Sequence, residues 1–121
     1  MAQEIKTPAR GEIYLVEFDL AFGSEIKKTR PALVVQNNIS NKYSPTTIVV
    51  AITSVIGGRD YSTNVFLKKS ESGLEKDSVV LLNQIKTIDK QRLIKKVGII
   101  NESLMIDVDR ALEISLGLVE V

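Results

Sequence analysis

The fold of this chain is decided by one continuous stretch, Arg10-Gly-Glu-Ile-Tyr-Leu-Val-Glu-Phe-Asp-Leu-Ala-Phe-Gly-Ser-Glu-Ile-Lys-Lys-Thr-Arg-Pro-Ala-Leu-Val-Val-Gln36. Its first part alternates polar and apolar residues, which predicts a strand over Glu12–Asp19. Residues 20–29 follow neither a strand nor a helix pattern and indicate a loop. A second strand is expected over Ala32–Gln36. Arg30 thus lies at the root of a loop, where its permanent charge and planar donor groups suit a phosphate ligand.

The rest of the chain predicts a small β-barrel with a helix packed on it. Turn residues fill 37–45, and Asp89 is expected to cap a helical turn. Further strands are expected at Thr47–Thr53, Thr63–Lys68, Ser78–Ile85 and Lys95–Ile100. Apolar residues then recur on one helical face between Asn101, a candidate N-cap, and Gly117, a candidate helix end. We therefore expect a mainly β domain over residues 10–121 with a C-terminal amphipathic helix, after a loose tail at 1–9.

Composition limits the chemistry that the chain can perform. With 121 residues it has one modest core, and it has neither cysteine nor histidine. Disulfides and thiolate chemistry are excluded, and a zinc site is not expected. The sequence contains no apolar run of the roughly 18 residues that span a membrane, so we expect a cytoplasmic protein. Catalysis would have to use Arg, Lys, Thr, Ser, Asp and Glu.

Charge is unevenly distributed although the formal net charge is only +1. Lys86–Lys96 is basic, whereas Glu102–Val121 is mostly acidic. This pattern fits either an anion-binding surface beside an acidic helix or two solvated faces.

Each polar candidate also has a purely structural interpretation. Arg30 could pair with Glu25 or Asp19 instead of binding a ligand. Thr53 ends a buried strand, where threonine is common for its β propensity alone. Four other side chains could contact a nucleic acid or only support the local backbone. They are Phe22, which could stack on a base, Ser24 and Glu25 in the loop, and Gln84 at a strand end.

Taken together, the motifs resemble the MazF/PemK family of bacterial toxins, from Arg10 almost to the C-terminus. The matching pieces are Arg10-Gly-Glu-Ile-Tyr14, Gly23-Ser-Glu25, Arg30-Pro31, Gln36-Asn37, Asn41-Lys-Tyr-Ser-Pro-Thr46, Ala51-Ile-Thr53, Asp77-Ser-Val79, Gln84-Ile-Lys-Thr-Ile-Asp-Lys-Gln-Arg-Leu93 and Asp109-Arg-Ala-Leu-Glu-Ile-Ser-Leu116. The likeness is greatest to members from Gram-positive bacteria.

This resemblance implies an SH3-like barrel that forms a homodimer and cleaves single-stranded RNA, chiefly mRNA, at specific sequences. It implies a reaction without metal or other cofactor, with 2′,3′-cyclic phosphate and 5′-hydroxyl ends, and inhibition by a MazE-type antitoxin. Arg30 and Thr53 become the catalytic pair, with Glu25 as candidate base. The implied RNA contacts are Phe22, Ser24, Asn64, Gln84 and Lys86.

Departures from the family pattern concern substrate choice. Leu20 stands where many relatives have proline, and Ile26-Lys27-Lys28 replaces a glycine-rich stretch. Asn64 stands where several have histidine, and Lys86 where many have arginine.

Two competing functions remain: a CcdB-like gyrase poison, which binds protein on a related fold, and a non-catalytic SH3-like adaptor, for which the scattered aromatic residues give little support.

Overall fold

The computed structural model describes residues 7–19, 28–54 and 62–120. These residues form one antiparallel sheet, three α-helices and a 3-10 turn. The elements are β1 (Glu12–Asp19), β2 (Lys28–Val34), α1 (Asn38–Tyr43), β3 (Thr46–Ser54), β4 (Asn64–Leu67), α2 (Lys69–Ser72), β5 (Ser78–Asp89), the 3-10 turn (Lys90–Arg92), β6 (Leu93–Ile99) and α3 (Glu102–Ser115). None of the helices in these ranges is long and apolar enough to cross a membrane.

The predicted class, mainly β with a C-terminal helix, is confirmed. The six strands follow the order β4-β5-β3-β2-β1-β6, so β3 is central as expected. In the described residues the edge strands β4 and β6 do not pair with each other, and the sheet is open. The loop after α2 reaches β6 instead: a Cβ built on Gly98 would lie 1.8 Å from the carbonyl oxygen of Ser72. This backbone contact joins the two ends of the sheet without strand pairing.

Buried apolar residues form two clusters, one on each face of the sheet. The larger cluster lies under α3 and includes Val108 and Ala111 of that helix. The smaller one lies on the opposite face and contains Tyr14, Val16, Ala32, Val34, Val49, Ile88 and Leu93. Side chains alternate between the two faces along each strand, so a residue two positions from a member of this second cluster lies on the same face as the cluster. We call it the small-cluster face.

Helix α3 begins and ends where the capping pattern predicts. The Asn101 side chain accepts a hydrogen bond of 2.8 Å from the backbone N–H of Leu104, and Gly117 has φ +72° just beyond the helix. Arg10 fastens α3 to the sheet, because its Nε donates to the Val35 carbonyl at 2.8 Å while its guanidinium pairs with Asp109.

Several predicted boundaries were wrong. β2 begins at Lys28 rather than Ala32, because Pro31 is tolerated within the strand. β2 pairs with β3 only over residues 32–34. At Pro31 there is therefore no hydrogen-bond ladder towards β3 that the missing N–H would interrupt. Part of the predicted turn at 37–45 is helix α1, which Asn37 caps. β5 continues to Asp89, whose side chain caps the 3-10 turn as expected. Residues 1–6 of the predicted tail at 1–9 lie outside the described residues.

Candidate active site

Arg30 and Thr53 lie on the neighbouring strands β2 and β3, each two residues beyond the last residue pair that joins these strands. β2 and β3 pair antiparallel with Ala32 opposite Ala51. Continued by two residues, this register places Arg30 opposite Thr53. Both side chains share the face of Ala32 and Ala51, the small-cluster face, because side chains repeat every second residue along a strand. The sequence proposed these two residues separately, and the register brings them together.

The opening between β2 and β3 depends on Pro31. Pairing stops at Ala32, and proline has no N–H with which to extend it. A cavity of about 770 Å³ lies at this end of the sheet and is bordered by Arg30, Pro31 and Thr53. Arg30 is exposed and Thr53 half-buried, so a ligand can reach both.

The remaining walls of this cavity are strongly basic. Three lysines line it, Lys76 in the loop after α2 and Lys95 and Lys96 on β6, with Glu75 as the carboxylate among its described lining residues. Lys95 and Lys96 belong to the basic segment singled out in the sequence. Lys76 was missed, because nothing local in the sequence indicates that its loop returns to β6.

Two of the predicted RNA contacts share a face with the catalytic candidates. Lys86 pairs with Val49 and therefore points to the small-cluster face. Asn64 on the edge strand β4 pairs with Leu81, which pairs in turn with Ala51. The strand register thus assigns Lys86, Asn64 and Arg30 to the same face of the sheet.

The other predicted contacts are less well placed. Gln84 is exposed within the bulge between the Val50–Ile85 and Ala51–Leu81 pairs of β3 and β5, where strand alternation does not fix its direction. Phe22, Ser24 and Glu25 lie outside the described residues, as does the Asp19 side chain. Their predicted roles therefore remain predictions, including that of Glu25 as base and the alternative ion pair of Arg30.

A polar cluster that the sequence did not reveal adjoins the cavity. Glu12 accepts from the Tyr14 hydroxyl at 3.2 Å and from the Ala9 N–H at 2.7 Å, and its other oxygen is 2.9 Å from the Lys96 ammonium. Burial alone would raise the pKa of Glu12, but the hydrogen bonds and the charge of Lys96 outweigh it and lower that pKa. Burial, followed by the Glu12 charge, raises the pKa of Tyr14 to about 12.

The sequence over residues 9–116 matches the family described as PemK-like, MazF-like toxins of type II toxin-antitoxin systems. Endoribonuclease MazF of Staphylococcus epidermidis is 50% identical over 109 residues, which cover 90% of this chain and 91% of that protein. Endoribonuclease EndoA of Bacillus subtilis (strain 168) is 46% identical over 111 residues, covering 92% and 96%.

Solved structures share the fold. A mycobacterial endoribonuclease in complex with its cognate antitoxin superimposes with a TM-score of 0.77 at 28% identity, covering 94% of this chain and 99% of that one. The MazE–MazF complex of Deinococcus radiodurans gives 0.79 at 23% identity, covering 94% and 99%. The second likeness concerns the fold alone.

Proposed function

The chain belongs to the PemK-like, MazF-like toxins of type II toxin-antitoxin systems and is an endoribonuclease; from this premise we propose that it cuts single-stranded RNA, chiefly mRNA, at a specific sequence without a metal ion. The observation that supports the proposal is that Arg30 and Thr53, on neighbouring strands, border one lysine-lined cavity. A fixed cation and a hydroxyl donor at one point can stabilise a single phosphate.

The reaction we propose is transesterification, in which RNA supplies its own nucleophile. The 2′-oxygen attacks the adjacent phosphorus, a P–O2′ bond forms and the P–O5′ bond breaks, leaving a 2′,3′-cyclic phosphate and a 5′-hydroxyl. A base takes the proton of the 2′-OH, and the leaving 5′-oxygen receives a proton. Arg30 stabilises the charge on the non-bridging oxygens, and Thr53 donates a further hydrogen bond. Because a guanidinium keeps its proton at all working pH values, we assign the base to Glu25.

The test is cleavage of a long unstructured RNA in EDTA by the wild type and by Arg30→Ala, with mapping of the new ends. We expect discrete cuts that end in 2′,3′-cyclic phosphate and are lost in the variant. Thr53→Val, which keeps the shape of the side chain, should cut about 10²-fold more slowly, the usual effect of removing one such donor. Intact RNA at high enzyme concentration would overturn the proposal and favour a gyrase poison, which trapped DNA breaks would reveal.

The pH profile gives a second test of the chemistry. The chain contains no histidine, so no imidazole can titrate near its usual pKa of about 6.5. We expect kcat to show no histidine-like inflection there. The fall of kcat at acid pH, where the proposed base Glu25 is protonated, should be absent in Glu25→Gln. An inflection that persists in Glu25→Gln would assign the base to another group with a perturbed pKa.

We also propose that the protein acts in the cytoplasm as a homodimer and that a MazE-type antitoxin with an acidic tail inhibits it. The basic cavity supports the antitoxin assignment through charge complementarity. Two elements are candidates for the dimer contact, α3 and the Thr47–Thr53 strand. Val49, Val50 and Ile52 on that strand are already buried by their own chain, whereas Ile106 on α3 is 68% exposed. We therefore place the contact on α3, and Ile106→Glu should convert dimer to monomer in light scattering.

A further inference from the structure

The lysines of the cavity form a built wall rather than a chance collection of surface charges. The loop that carries Lys76 is held on β6 by backbone contact, since Cβ atoms on Gly73 and Gly98 would lie 2.7 Å and 1.8 Å from the carbonyl oxygens of Val97 and Ser72. Lys95 and Lys96 follow on β6 itself. Two segments distant in sequence thus line one space. Lys96 pairs with Tyr14 and so shares the small-cluster face with Arg30, whereas Lys95, the next residue on the strand, points to the other face. We therefore define the lysine wall as Lys76 and Lys96.

Lys96 is the more precisely placed of the two. Its ammonium lies 2.9 Å from Oε2 of Glu12, and Oε1 of the same carboxylate accepts bonds from Tyr14 and Ala9. Tyr14 is only 4% exposed, so the carboxylate is anchored from the core side. A lysine held in this way loses less side-chain entropy on binding an anion than a free one does.

We propose that the lysine wall binds RNA backbone phosphates adjacent to the one that Arg30 and Thr53 engage, with Lys96 as its principal contact. This inference rests on the proposed function, because it takes Arg30 to mark the scissile phosphate. The cavity holds both groups, and successive phosphates of one strand are the anions that a ligand entering it would present. Such contacts carry no sequence information, so the wall sets affinity and register of the strand rather than the recognised sequence.

The test compares charge-neutralising variants on a short single-stranded RNA taken from the mapped cleavage site, over a series of salt concentrations. Lys96→Met should raise KM about threefold to tenfold with kcat nearly unchanged, and should reduce the slope of log(kcat/KM) against log[salt] by about 0.7. Lys76→Met should act in the same direction. Lys96→Arg should restore the wild-type values. Glu75→Gln, which removes a repulsive carboxylate, should lower KM.

The matched control is Lys42→Met. Lys42 is an exposed lysine on α1 that lines a different cavity, at the far end of β2 from Arg30, and its loss should change neither KM nor the salt slope. If Lys96→Met behaves like Lys42→Met while Arg30→Ala remains inactive, the lysine wall is overturned and the proposed function stands. If Lys96→Met weakens only antitoxin binding, the lysine wall binds the antitoxin and not RNA. If Arg30→Ala cuts like the wild type, both inferences fail together.

Discussion

The ammonium of Lys86 lies 5.7 Å from the centroid of the Phe18 ring, although two strands separate β5 from β1 in the sheet. Neighbouring strands are about 4.8 Å apart, so a flat sheet would hold these residues well beyond reach of such a contact. The sheet therefore curls with its small-cluster face inside. Arg30 pairs with Val16, two residues from Phe18 along β1.

This arrangement predicts energetic coupling between Lys86 and Phe18. Lys86→Met removes the charge and Phe18→Leu removes the ring, while both keep apolar volume. A double-mutant cycle on the free energy of unfolding should give a coupling of about 0.5–1 kcal/mol, the usual size of a solvent-accessible cation–π contact. Urea denaturation of the four proteins measures it. Strictly additive effects would show that the contact does not persist in solution.

Lys86 should also affect RNA binding, because its charge lies on the same face as Arg30. Lys86→Met is expected to raise KM several-fold with little change in kcat, whereas Lys86→Arg should retain most of the affinity. Lys69→Met, which removes a charge from the exposed helix α2, serves as control. A large fall in kcat for Lys86→Met at unchanged KM would instead place Lys86 in contact with the reacting phosphate.

Local patterns in the sequence predicted most of the elements but not their pairing. Alternation located β1, a run of β-branched and apolar residues located the centre of β3, and capping residues located both ends of α3, since these signals lie within a few neighbouring residues. The Arg30–Thr53 and Lys86–Phe18 relationships depend on register and curvature, which are fixed by packing between distant segments. Sequence could therefore propose the members of the site but not their geometry.

The missed features have the same origin. Helix α1 occupies a segment that read as a turn, and one of its contacts is long-range: the backbone carbonyl of Asn41 accepts from Lys90 of the 3-10 turn. The Glu12–Lys96 pair likewise joins β1 to β6. A buried asparagine or a paired glutamate carries no local signature that distinguishes it from a surface one.

Asn41 should be among the side chains whose loss destabilises the protein most. It is fully buried and exchanges hydrogen bonds with Gln36, at 3.0 Å and 2.9 Å, and accepts one from Thr47 at 2.7 Å. Its backbone carbonyl also accepts from the Lys90 ammonium, a bond that Asn41→Ala keeps. Asn41→Ala would leave buried donors without their acceptor and should cost about 2–4 kcal/mol in the free energy of unfolding.

Chemical denaturation measures this cost, with Asn83→Ala as the control because Asn83 is exposed on β5; its effect should stay within about 0.5 kcal/mol. At temperatures where Asn41→Ala is folded, its kcat should match the wild type, since the network lies away from Arg30. An equal, small loss for both variants would mean that water replaces the buried network.

Stability should fall at alkaline pH through Tyr14. Its pKa is raised to about 12 in the folded protein, from about 10 in the unfolded chain. The neutral phenol is therefore favoured by folding, and this contribution is complete below pH ~10 and is lost as pH rises toward 12. Urea midpoints of the wild type and of Tyr14→Phe, measured between pH 8 and 11, test this. The wild-type midpoint should decline at alkaline pH more than that of the variant. Parallel curves for the two proteins would contradict the prediction.

At acid pH the sign is reversed for Glu12. Its pKa is lowered in the folded protein from the ordinary value of 4.5, so folding favours the carboxylate. The stabilisation is present above pH ~4.5 and is lost as pH falls through the folded pKa. Glu12→Gln should lose stability at neutral pH and approach the wild type below pH 4. A constant difference between the two across pH 3–7 would show that the charge itself is not involved.

Gly98 should be intolerant of even a methyl group, for steric rather than conformational reasons. Its φ is not in the left-handed region, but an added Cβ would lie 1.8 Å from the Ser72 carbonyl oxygen, so the backbone of one segment must move. Gly98→Ala should cost about 2–4 kcal/mol in the free energy of unfolding and raise KM for RNA, because the displaced loop carries Lys76 away from β6.

Gly117→Ala is the contrasting control: φ is +72° and no atom lies within 4 Å of the added Cβ. It should cost only the about 1–2 kcal/mol of a left-handed alanine and leave KM unchanged. Equal costs with KM unchanged in both variants would show that the contact between Gly98 and Ser72 does not hold the loop in place.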